Sequence, residues 1–261
     1  MTYAKIERFD YIIKQLEIEG KIIVANIAEA LKVAPETIRR DFDELEQQRL
    51  LTRVHGGAVK YTNVRTEPAF LRKLQMNKEA KCHIARVAAS RICQGDTIVV
   101  DTGTTTVHIA DFLLAVDDIT VVTNSIAAAV QFNLAIEERR MTGKVIVLGG
   151  MTNPAQSSLV GAMTLEALSN MNFDKAFLSC GGICDGIVYD YDLDESLLSK
   201  KMLARSKKSY LLVDSSKLNN QSFYQISSLE DCTEIFCDGA CPIEWQAYEE
   251  AWTICDGGKI K

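Results

Sequence analysis

The sequence is poor in proline, glycine and histidine, and it contains no long apolar run. Four prolines and fifteen glycines in 261 residues exclude a collagen-like or low-complexity chain. Because no stretch reaches about 18 apolar residues, we expect no membrane-spanning helix and no membrane partner. The charged N-terminus lacks the apolar core and cleavage site of a secretory signal, which predicts a cytoplasmic protein.

The eight cysteines include no CxxC pair. Two pairs have a spacing that resembles a metal site: Cys180 with Cys184, and Cys237 with Cys241. None of the three histidines is close in sequence to either pair, so the ligands of a typical zinc site are missing. We therefore predict no metal site and no cofactor, and we expect reduced, buried thiols.

The charge is unevenly distributed along the chain. The net charge is −6, which by itself argues against a nucleic-acid partner. Residues 1–86 nevertheless carry sixteen basic and twelve acidic side chains, whereas residues 87–261 carry thirteen and twenty-three. This asymmetry predicts modules with different partners. We expect a first module at 1–58, a linker at 59–78 that couples the modules, and a second module at 79–261.

The first module has the pattern of a small helical domain with a hairpin. Apolar residues recur at helical spacing from Ile6 to Leu16, and a short extended link follows at 21–24. Asn26 is expected to cap the next helix. After a tight turn, a third helix is predicted from 35 to 48, starting with proline. Residues 50–58 predict a two-stranded hairpin whose glycines permit positive φ.

Two helices joined by a three-residue turn form a helix-turn-helix, whose second helix can enter the major groove of DNA. Arginine suits this helix because its guanidinium binds guanine or phosphate in bidentate fashion. The residues predicted to contact DNA are Glu36, Thr37, Arg39, Arg40, Arg53 and His55. The alternative is a solvated basic face on a small helical domain.

The second module alternates short apolar strands with helices, which predicts an α/β domain with a mostly parallel sheet covered on both faces. Strands are expected at 97–101, 119–123, 144–148, 175–179, 209–214 and 235–237. Helices are expected at 104–114, 125–132, 163–168 and 193–204, and after residue 242.

One loop of this module has the composition of an anion site. It joins a strand to a helix and consists of Asp101, Thr102, Gly103, Thr104, Thr105 and Thr106. Gly103 permits close approach of a ligand, and threonine hydroxyls with the first N–H groups of a helix suit a phosphate. The loop matches neither a dinucleotide-binding nor a P-loop pattern. The alternative is a helix cap with spare threonines.

Further polar or small residues follow other strands. Ligands of open α/β sheets bind outside the carboxyl ends of the strands, so these residues are candidates for the same pocket. They are Asn124, Gly149, Gly150, Glu195 and Lys217. For Glu195 and Lys217 the alternatives are a solvated acidic turn and an ordinary surface lysine.

Several strings in the chain resemble the DeoR-type bacterial transcription regulators. In the first module these are TIRRD at 37–41 and RVHGGA at 53–58. In the second they are DTGTTT at 101–106, VVTNS at 121–125, LGG at 148–150, AFLSCGGI at 176–183 and DSSK at 214–217. The resemblance implies a winged helix-turn-helix followed by a domain related to ribose-5-phosphate isomerase and the coenzyme A transferases.

The resemblance also implies a function. It implies a homo-oligomeric repressor of carbohydrate catabolism genes, dimeric or tetrameric, that binds double-stranded operator DNA and responds to a phosphorylated sugar. Two positions depart from the family pattern. Ala34 stands where a capping serine is usual, and Ser199 stands four residues after Glu195, where a lysine is usual; Lys200 and Lys201 lie just beyond it.

An alternative function is a sugar-phosphate isomerase that uses the second module. Asp101, Asp190 and Glu195 are candidate acid or base groups for such a reaction. An isomerase has no need of residues 1–58, and the displaced lysine also counts against catalysis. We therefore predict a regulator that is not an enzyme.

Overall fold

The computed structural model describes residues 5–47, 50–54, 56–60 and 67–257. The chain divides into two compact units, Met1–Thr66 and Glu67–Lys261. The division falls within the predicted linker 59–78, of which residues 61–66 lie outside the described part. Glu67 and the residues that follow it belong to the second unit.

The first unit contains the helices and strands expected of a winged helix-turn-helix. Its elements are α1 (Lys5–Glu19), β1 (Lys21–Ile23), α2 (Val24–Leu31), α3 (Pro35–Gln47), β2 (Leu51–Val54) and β3 (Gly57–Lys60). Apolar side chains at helical spacing, among them Ile12, Leu31 and Phe42, form one buried core. α3 begins at Pro35 although Ala34 has no capping oxygen, and the Thr37 N–H donates to the Ala34 carbonyl.

The start of α2 differs from the expectation. Asn26 is not the cap: β1 ends at Ile23 in extended conformation and α2 begins directly at Val24. The Val24 N–H donates to the Gly56 carbonyl at 3.0 Å. A backbone group of the hairpin therefore satisfies a donor that a capping side chain would otherwise bind.

The hairpin is part of a sheet with the strand order β1-β3-β2 among the described residues of this unit. β3 pairs antiparallel with both neighbours. Gly56 has a φ of +76°, as expected for the turn, whereas Gly57 is needed for a different reason. A Cβ on Gly57 would lie 2.1 Å from the Ile22 carbonyl oxygen, so only glycine lets β1 pair with β3.

An ion pair fastens α1 to α3 inside the first unit. Nε and Nη2 of Arg8 donate to the two carboxylate oxygens of Asp41, at 2.6 and 2.8 Å. Both side chains are largely buried. Bidentate geometry of this kind is strong because both charges keep hydrogen-bond partners. The final aspartate of the TIRRD string is therefore structural.

The second unit is an α/β domain. Its helices and main strands are α4 (Phe70–Gln75), α5 (Lys78–Ala89), β4 (Thr97–Val100), β5 (Val116–Thr123), α6 (Ile126–Glu137), β6 (Met141–Val147), α7 (Ala162–Ser169), β9 (Phe173–Leu178), α8 (Leu193–Ala204), β12 (Ser206–Leu212), β14 (Glu234–Cys237) and β15 (Trp252–Ile254). Over residues 67–257 the main sheet is parallel, with the order β15-β14-β12-β9-β4-β5-β6.

Side chains alternate between the two faces of this sheet and build two cores. Ala176 and Leu178 of β9 face one core, which includes Leu198 and Met202 of α8. Phe177 faces the other, where its ring stacks on Tyr210 with centroids 5.2 Å apart. The apolar strands are therefore covered on both sides, as predicted.

Smaller strands lie outside the main sheet and were not predicted. They are β7 (Met151–Asn153) and β8 (Ser158–Val160), which form a hairpin, and β10 (Gly182–Cys184), β11 (Ile187–Asp190) and β13 (Tyr224–Ser228), which form a sheet. The helix expected at 104–114 is a 3-10 helix, Thr106–Phe112. Short 3-10 helices also lie at Ser215–Lys217, Leu229–Asp231 and Ile243–Ala251.

The structure bears on the expectations for membrane helices and for the cysteines. No helix among the described residues combines the length and apolar character needed to cross a membrane. Four cysteines are buried, namely Cys180, Cys232, Cys237 and Cys255. Cys93 is exposed, so the expectation of uniformly buried thiols is wrong, because this residue lies in the turn before β4.

Candidate nucleic-acid interface and ligand cleft

Helix α3 carries four of the six residues predicted to contact DNA. Ile38 and Phe42 are buried and fix the helix against the core. Glu36, Arg39 and Arg40 are exposed and Thr37 is half-buried. The amphipathic pattern of α3 therefore leaves its arginines accessible to a duplex, as major-groove entry requires.

The arginines beside the hairpin are held in ion pairs. Arg39 donates to Glu36 at 3.0 Å, and the exposed Arg53 on β2 pairs with Asp43 of α3. Arg39 and Arg53 both line a groove of about 340 Å³ between α3 and the hairpin. Phosphate can compete for such exposed pairs, since they contribute little in water. His55 lies outside the described residues.

The second unit has a cleft at the carboxyl edge of its parallel sheet. β4 leads to β5 on one side, whereas its other neighbour is β9, so the cleft lies at a switch point of strand order. The cleft has a volume of about 130 Å³. It is lined by Glu67, Pro68, Lys73, Met76, Asn77, Lys81, Thr104, Gly181, Tyr191, Asp214, Ser216, Lys217 and Asn220.

A smaller hollow adjoins the cleft and shares Glu67, Lys73, Thr104 and Lys217 with it. Its volume is about 10 Å³, close to that of a single water-sized sphere. The other lining residues are Phe70, Thr102, Gly103, Gln156, Ser179, Cys180, Asp190 and Glu195. The cleft and the hollow together contain hydrogen-bond donors and hydrogen-bond acceptors.

Three lysines converge on the cleft. Lys81 is buried and its ammonium donates to the Lys73 carbonyl at 2.5 Å. Burial lowers the pKa of Lys81 to about 8, with Asp214 opposing this and the charges of Lys217 and Lys73 adding to it. Burial would also lower the pKa of Lys217, but surrounding negative groups, among them Asp214 and Asp190, raise it. A cluster of cations of this kind favours an anionic ligand.

Asp190 and Glu195 line the hollow that adjoins the cleft, and Asp101 is buried outside both spaces. Burial raises the pKa of Asp101 to about 7, against the hydrogen bond that it accepts from Ser199. Burial also raises the pKa of Glu195 to about 8 and raises that of Asp190. At neutral pH Glu195 is therefore mostly protonated, and its carboxyl group adds no full negative charge beside the lysines.

Glu195 and Gln156 have different hydrogen-bonding states. Oε1 of Glu195 accepts from the Ser158 hydroxyl at 2.5 Å and from Nδ2 of Asn153 at 3.2 Å. Gln156 is buried, and its Nε2 donates to the Pro68 carbonyl at 3.4 Å. Its Oε1 is buried without a hydrogen-bond partner among the described residues. This orphaned acceptor beside the hollow suits a hydroxyl group of a ligand.

The threonine loop after β4 is only partly directed toward the cleft. Thr104 lines both spaces, and Thr102 and Gly103 line the hollow. Thr105 is buried outside both. The Thr106 hydroxyl donates to the Asp101 carbonyl at 2.8 Å inside the protein. The hydroxyls of Thr104, Thr105 and Thr106 therefore do not converge on one point, because the chain turns into a tight 3-10 helix there.

Other candidates have structural contacts instead. The amide oxygen of Asn124 accepts from the Thr102 N–H at 3.2 Å, so Asn124 supports the loop. A Cβ on Gly103 would lie 2.5 Å from Ser179, which makes Gly103 a packing requirement. Gly149 and Gly150 line neither space: they follow β6, at the edge of the sheet, and are exposed.

Ser199 explains part of the electrostatics of this cleft. It is buried on α8, and its hydroxyl donates to the Asp101 carboxylate at 2.6 Å. Lys200 is exposed, because one residue turns a helix by about 100°. A neutral hydroxyl therefore faces Asp101 at this position, which leaves the desolvation of that carboxyl group without a full compensating charge.

Sequence reasoning missed several residues of the cleft and of the adjoining hollow, in particular Glu67, Lys73, Lys81 and Gln156. One signal for the lysines was present. Residues 61–86 hold six basic and two acidic side chains, and this surplus lies outside the first module at 1–58. Two of those cations line a pocket of the second unit.

A winged helix-turn-helix with exposed arginines, in one chain with an α/β unit that contains a charged cleft, defines a ligand-responsive DNA-binding protein. Comparison with known families agrees. Residues 8–64 match the DeoR-like helix-turn-helix domain, and residues 76–239 match the DeoR C terminal sensor domain. The chain belongs to the DeoR family of transcriptional regulators, as the sequence resemblance predicted.

Individual relatives cover nearly the whole chain. An uncharacterized HTH-type transcriptional regulator of Staphylococcus epidermidis is 42% identical over 82% of this chain and 84% of its own length. A lactose phosphotransferase system repressor of the same species is 32% identical, with 90% and 92% covered. The L-fucose operon activator of Haemophilus influenzae is 31% identical, with 95% and 97% covered. These relatives are transcriptional regulators by name.

Solved structures similar to this chain include a D-ribose-5-phosphate isomerase in complex with phospho-erythronic acid. It is 20% identical, with a TM-score of 0.38, and 54% of each chain is covered. A 4-hydroxybutyrate CoA-transferase from Porphyromonas gingivalis is 12% identical, with a TM-score of 0.40, over 60% of this chain and 46% of that chain.

Proposed function

We propose that this regulator represses sugar-catabolism genes and that a phosphorylated sugar, bound in the cleft of the second unit, modulates its binding to operator DNA. The observation that carries the proposal is the convergence of Lys73, Lys81 and Lys217 at the switch point of the parallel sheet. Relatives whose names refer to lactose and fucose systems support a sugar as the controlling metabolite.

The polar groups of the cleft match the two parts of a sugar phosphate. The lysine ammonium groups supply the charge that a phosphate dianion needs. Gln156 offers an unpaired acceptor, and the protonated Glu195 offers a donor, on the side where sugar hydroxyls would lie. A phosphorylated sugar offers partners to both sets of groups at once, whereas a neutral sugar brings no negative charge to the three ammonium groups.

The ligand part of the proposal is tested by binding. Addition of phosphorylated sugars should raise the melting temperature of the full chain, because a ligand specific for the folded state stabilises it. Lys217→Met should abolish that rise, whereas Lys200→Met, which removes an exposed lysine of α8, should preserve it. Equal responses of the two variants would locate the anion site elsewhere.

The DNA part is tested with a duplex selected by the full chain from random sequences. Arg39→Ala and Arg40→Ala should each weaken binding by about 1–3 kcal/mol, since each removes a contact to a base or phosphate. Lys144→Ala, an exposed cation of the second unit, serves as the control. Affinity should also fall steeply with salt concentration. Unchanged affinity in both arginine variants would refute the assignment of α3 as the recognition helix.

We infer that the cleft senses its ligand without converting it. Asp101 is buried and accepts a hydrogen bond from the Ser199 hydroxyl. Ser199 occupies the position on α8 where the family pattern has a lysine. Incubation of the pure chain with pentose phosphates should therefore give no isomerised product. A measurable rate that Glu195→Gln removes would favour the isomerase alternative.

We further propose that the regulator works as a dimer or tetramer. Two-fold assemblies present paired recognition helices to repeated half-sites. Ile126, Val130 and Leu134 recur at helical spacing on α6 and are exposed, Val130 to 52%. Such a row of apolar side chains supports contact with a second copy. Sedimentation equilibrium should give a mass of at least twice 29.0 kDa.

A further inference from the structure

One wall of the cleft is formed by the segment 67–76, which begins the second unit. Phe70 is buried, and its N–H donates to the Ala155 carbonyl at 2.7 Å. The Pro68 carbonyl accepts from the side chain of Gln156 at 3.4 Å. The segment is thus attached to the loop between β7 and β8 by two hydrogen bonds and one buried ring. Residues 67–69, ahead of α4, have no regular secondary structure.

The carboxylate of this segment lies among the cations of the cleft. Glu67 pairs with Lys73, and the two side chains are 11% and 17% exposed. The other lysines have different partners. Lys217 donates to the Cys180 carbonyl, and Asp214 acts electrostatically on both Lys217 and Lys81. Glu67 therefore supplies the carboxylate that meets the ammonium group of Lys73.

The negative charge of Glu67 also acts on the carboxyl groups of the adjoining hollow. It contributes to the raised pKa values of Glu195 and Asp190, in addition to burial, which is the main cause for both. Glu67 lines the cleft as well as the adjoining hollow. An incoming dianion would meet this carboxylate in both places, and like charges at such distances repel strongly away from water.

We propose that Glu67 is a built-in competitor of the ligand: its carboxylate holds the anion position at Lys73, and a bound phosphate group displaces it together with the segment 67–69. This inference rests on the proposed function, because it assumes that the cleft binds a phosphate. Beyond the proposed function, it identifies the carboxylate that the ligand displaces from Lys73 and the segment that moves with this carboxylate.

The position of Glu67 in the chain gives the displacement a consequence. Glu67 is the first residue of the second unit, and the chain before it leads directly to the DNA-binding unit. Displacement of Glu67 from Lys73 by a phosphate thus moves the residue at which the connection to the DNA-binding unit begins. Glu67 and Lys73 also lie between the two matched family domains, which end at residue 64 and begin at residue 76.

Three variants of the full chain separate competition from a general effect of charge. Glu67→Gln removes the charge, and Glu67→Asp keeps it but shortens its reach by one methylene group. Glu79→Gln removes an exposed charge on α5 and is the matched control. Binding of inorganic phosphate is measured by titration calorimetry.

Competition predicts that both Glu67 variants bind inorganic phosphate at least about fivefold more tightly than the unaltered chain. This factor corresponds to the upper limit for an exposed ion pair, and the pair of Glu67 with Lys73 is less exposed than that. Glu79→Gln should bind as the unaltered chain does. A purely long-range charge effect would tighten binding in Glu67→Gln but leave Glu67→Asp unchanged, and that result would overturn the proposal. Unchanged affinity in both Glu67 variants would overturn it as well.

Hydrogen exchange gives a second readout that tightening alone does not supply. Saturating inorganic phosphate should accelerate hydrogen exchange at the Phe70 amide. Displacement of Glu67 loosens the hydrogen bond from this amide to the Ala155 carbonyl. Slower exchange there would mean that the ligand closes the segment down, contrary to the proposal. If the unaltered chain binds phosphate and Lys217→Met abolishes binding, failure of these readouts refutes the competitor role alone. If no variant binds phosphate, the proposed function fails with it.

Discussion

The buried carboxyl group of Glu195 predicts an unusual dependence of stability on pH. Burial raises its pKa from an ordinary value of 4.5 to about 8 in the folded chain. The folded state therefore holds a proton that the unfolded state releases throughout this range. Linkage then requires the free energy of unfolding to be highest below pH 4.5 with respect to this group and to fall as the pH rises toward 8. The slope is at most about 1.4 kcal/mol per pH unit.

The informative perturbation is Glu195→Gln. The amide keeps the carbonyl oxygen that accepts from Ser158 and Asn153, and it resembles the protonated acid in shape. The variant should match the parent near pH 5 and exceed it at pH 8. Over these three pH units the difference should grow by up to about 4 kcal/mol. Asp101, whose pKa burial raises to about 7, should leave a smaller slope of the same sign in both proteins.

The assay is urea unfolding followed by tryptophan fluorescence at several pH values. Trp245 and Trp252 are the two tryptophans of the chain, and both lie in the second unit, so the signal reports the unit that contains the cleft. Glu166→Gln, at an exposed position of α7, is the control and should show the pH profile of the parent. Parallel profiles for Glu195→Gln and the parent would show that Glu195 is ionised in the folded state and would refute the reasoning.

Two further substitutions test the packing of each unit. Asp41→Asn removes the charged partner of the largely buried Arg8 and should destabilise the first unit by about 3–5 kcal/mol, measured by hydrogen exchange of the α3 amides. Asp43→Asn, at a half-exposed position of the same helix, should change the stability of the first unit by less than about 1 kcal/mol. Equal effects of the two substitutions would contradict the structural role of Asp41. Gly103→Ala places a methyl group 2.5 Å from the side chain of Ser179. This substitution should destabilise the second unit by about 1–3 kcal/mol in the urea assay. Gly149→Ala, with its nearest atom at 3.5 Å, should be nearly neutral, and a reversed order would be incompatible with the packing described.

Features that depend on local pattern were predicted closely. The third helix was expected at 35–48 and is observed as Pro35–Gln47, since its apolar spacing and its proline start are local signals. The helix at Leu193–Ala204 has the predicted bounds. The helix after β5 is predicted at 125–132 but continues to Glu137. Apolar residues lie on all sides of this helix, so its pattern has no clear period that marks the end. Three-residue strands such as β7 and β8 are too short to give a period of any kind.

The sequence by itself determined the two-unit architecture, the exposed arginines of α3 and the polar loop at the end of β4, because each follows from the spacing of apolar residues along a few turns or one strand. Tertiary structure alone decided which charged groups share the cleft. Lys81 lies near Asp214 and Lys217 although more than 130 residues separate them in the chain. The inward turn of Thr106 depends on the 3-10 helix that packs there. The directions of these side chains and the desolvation of their charges are set only when distant segments pack together. A local sequence pattern therefore cannot predict them.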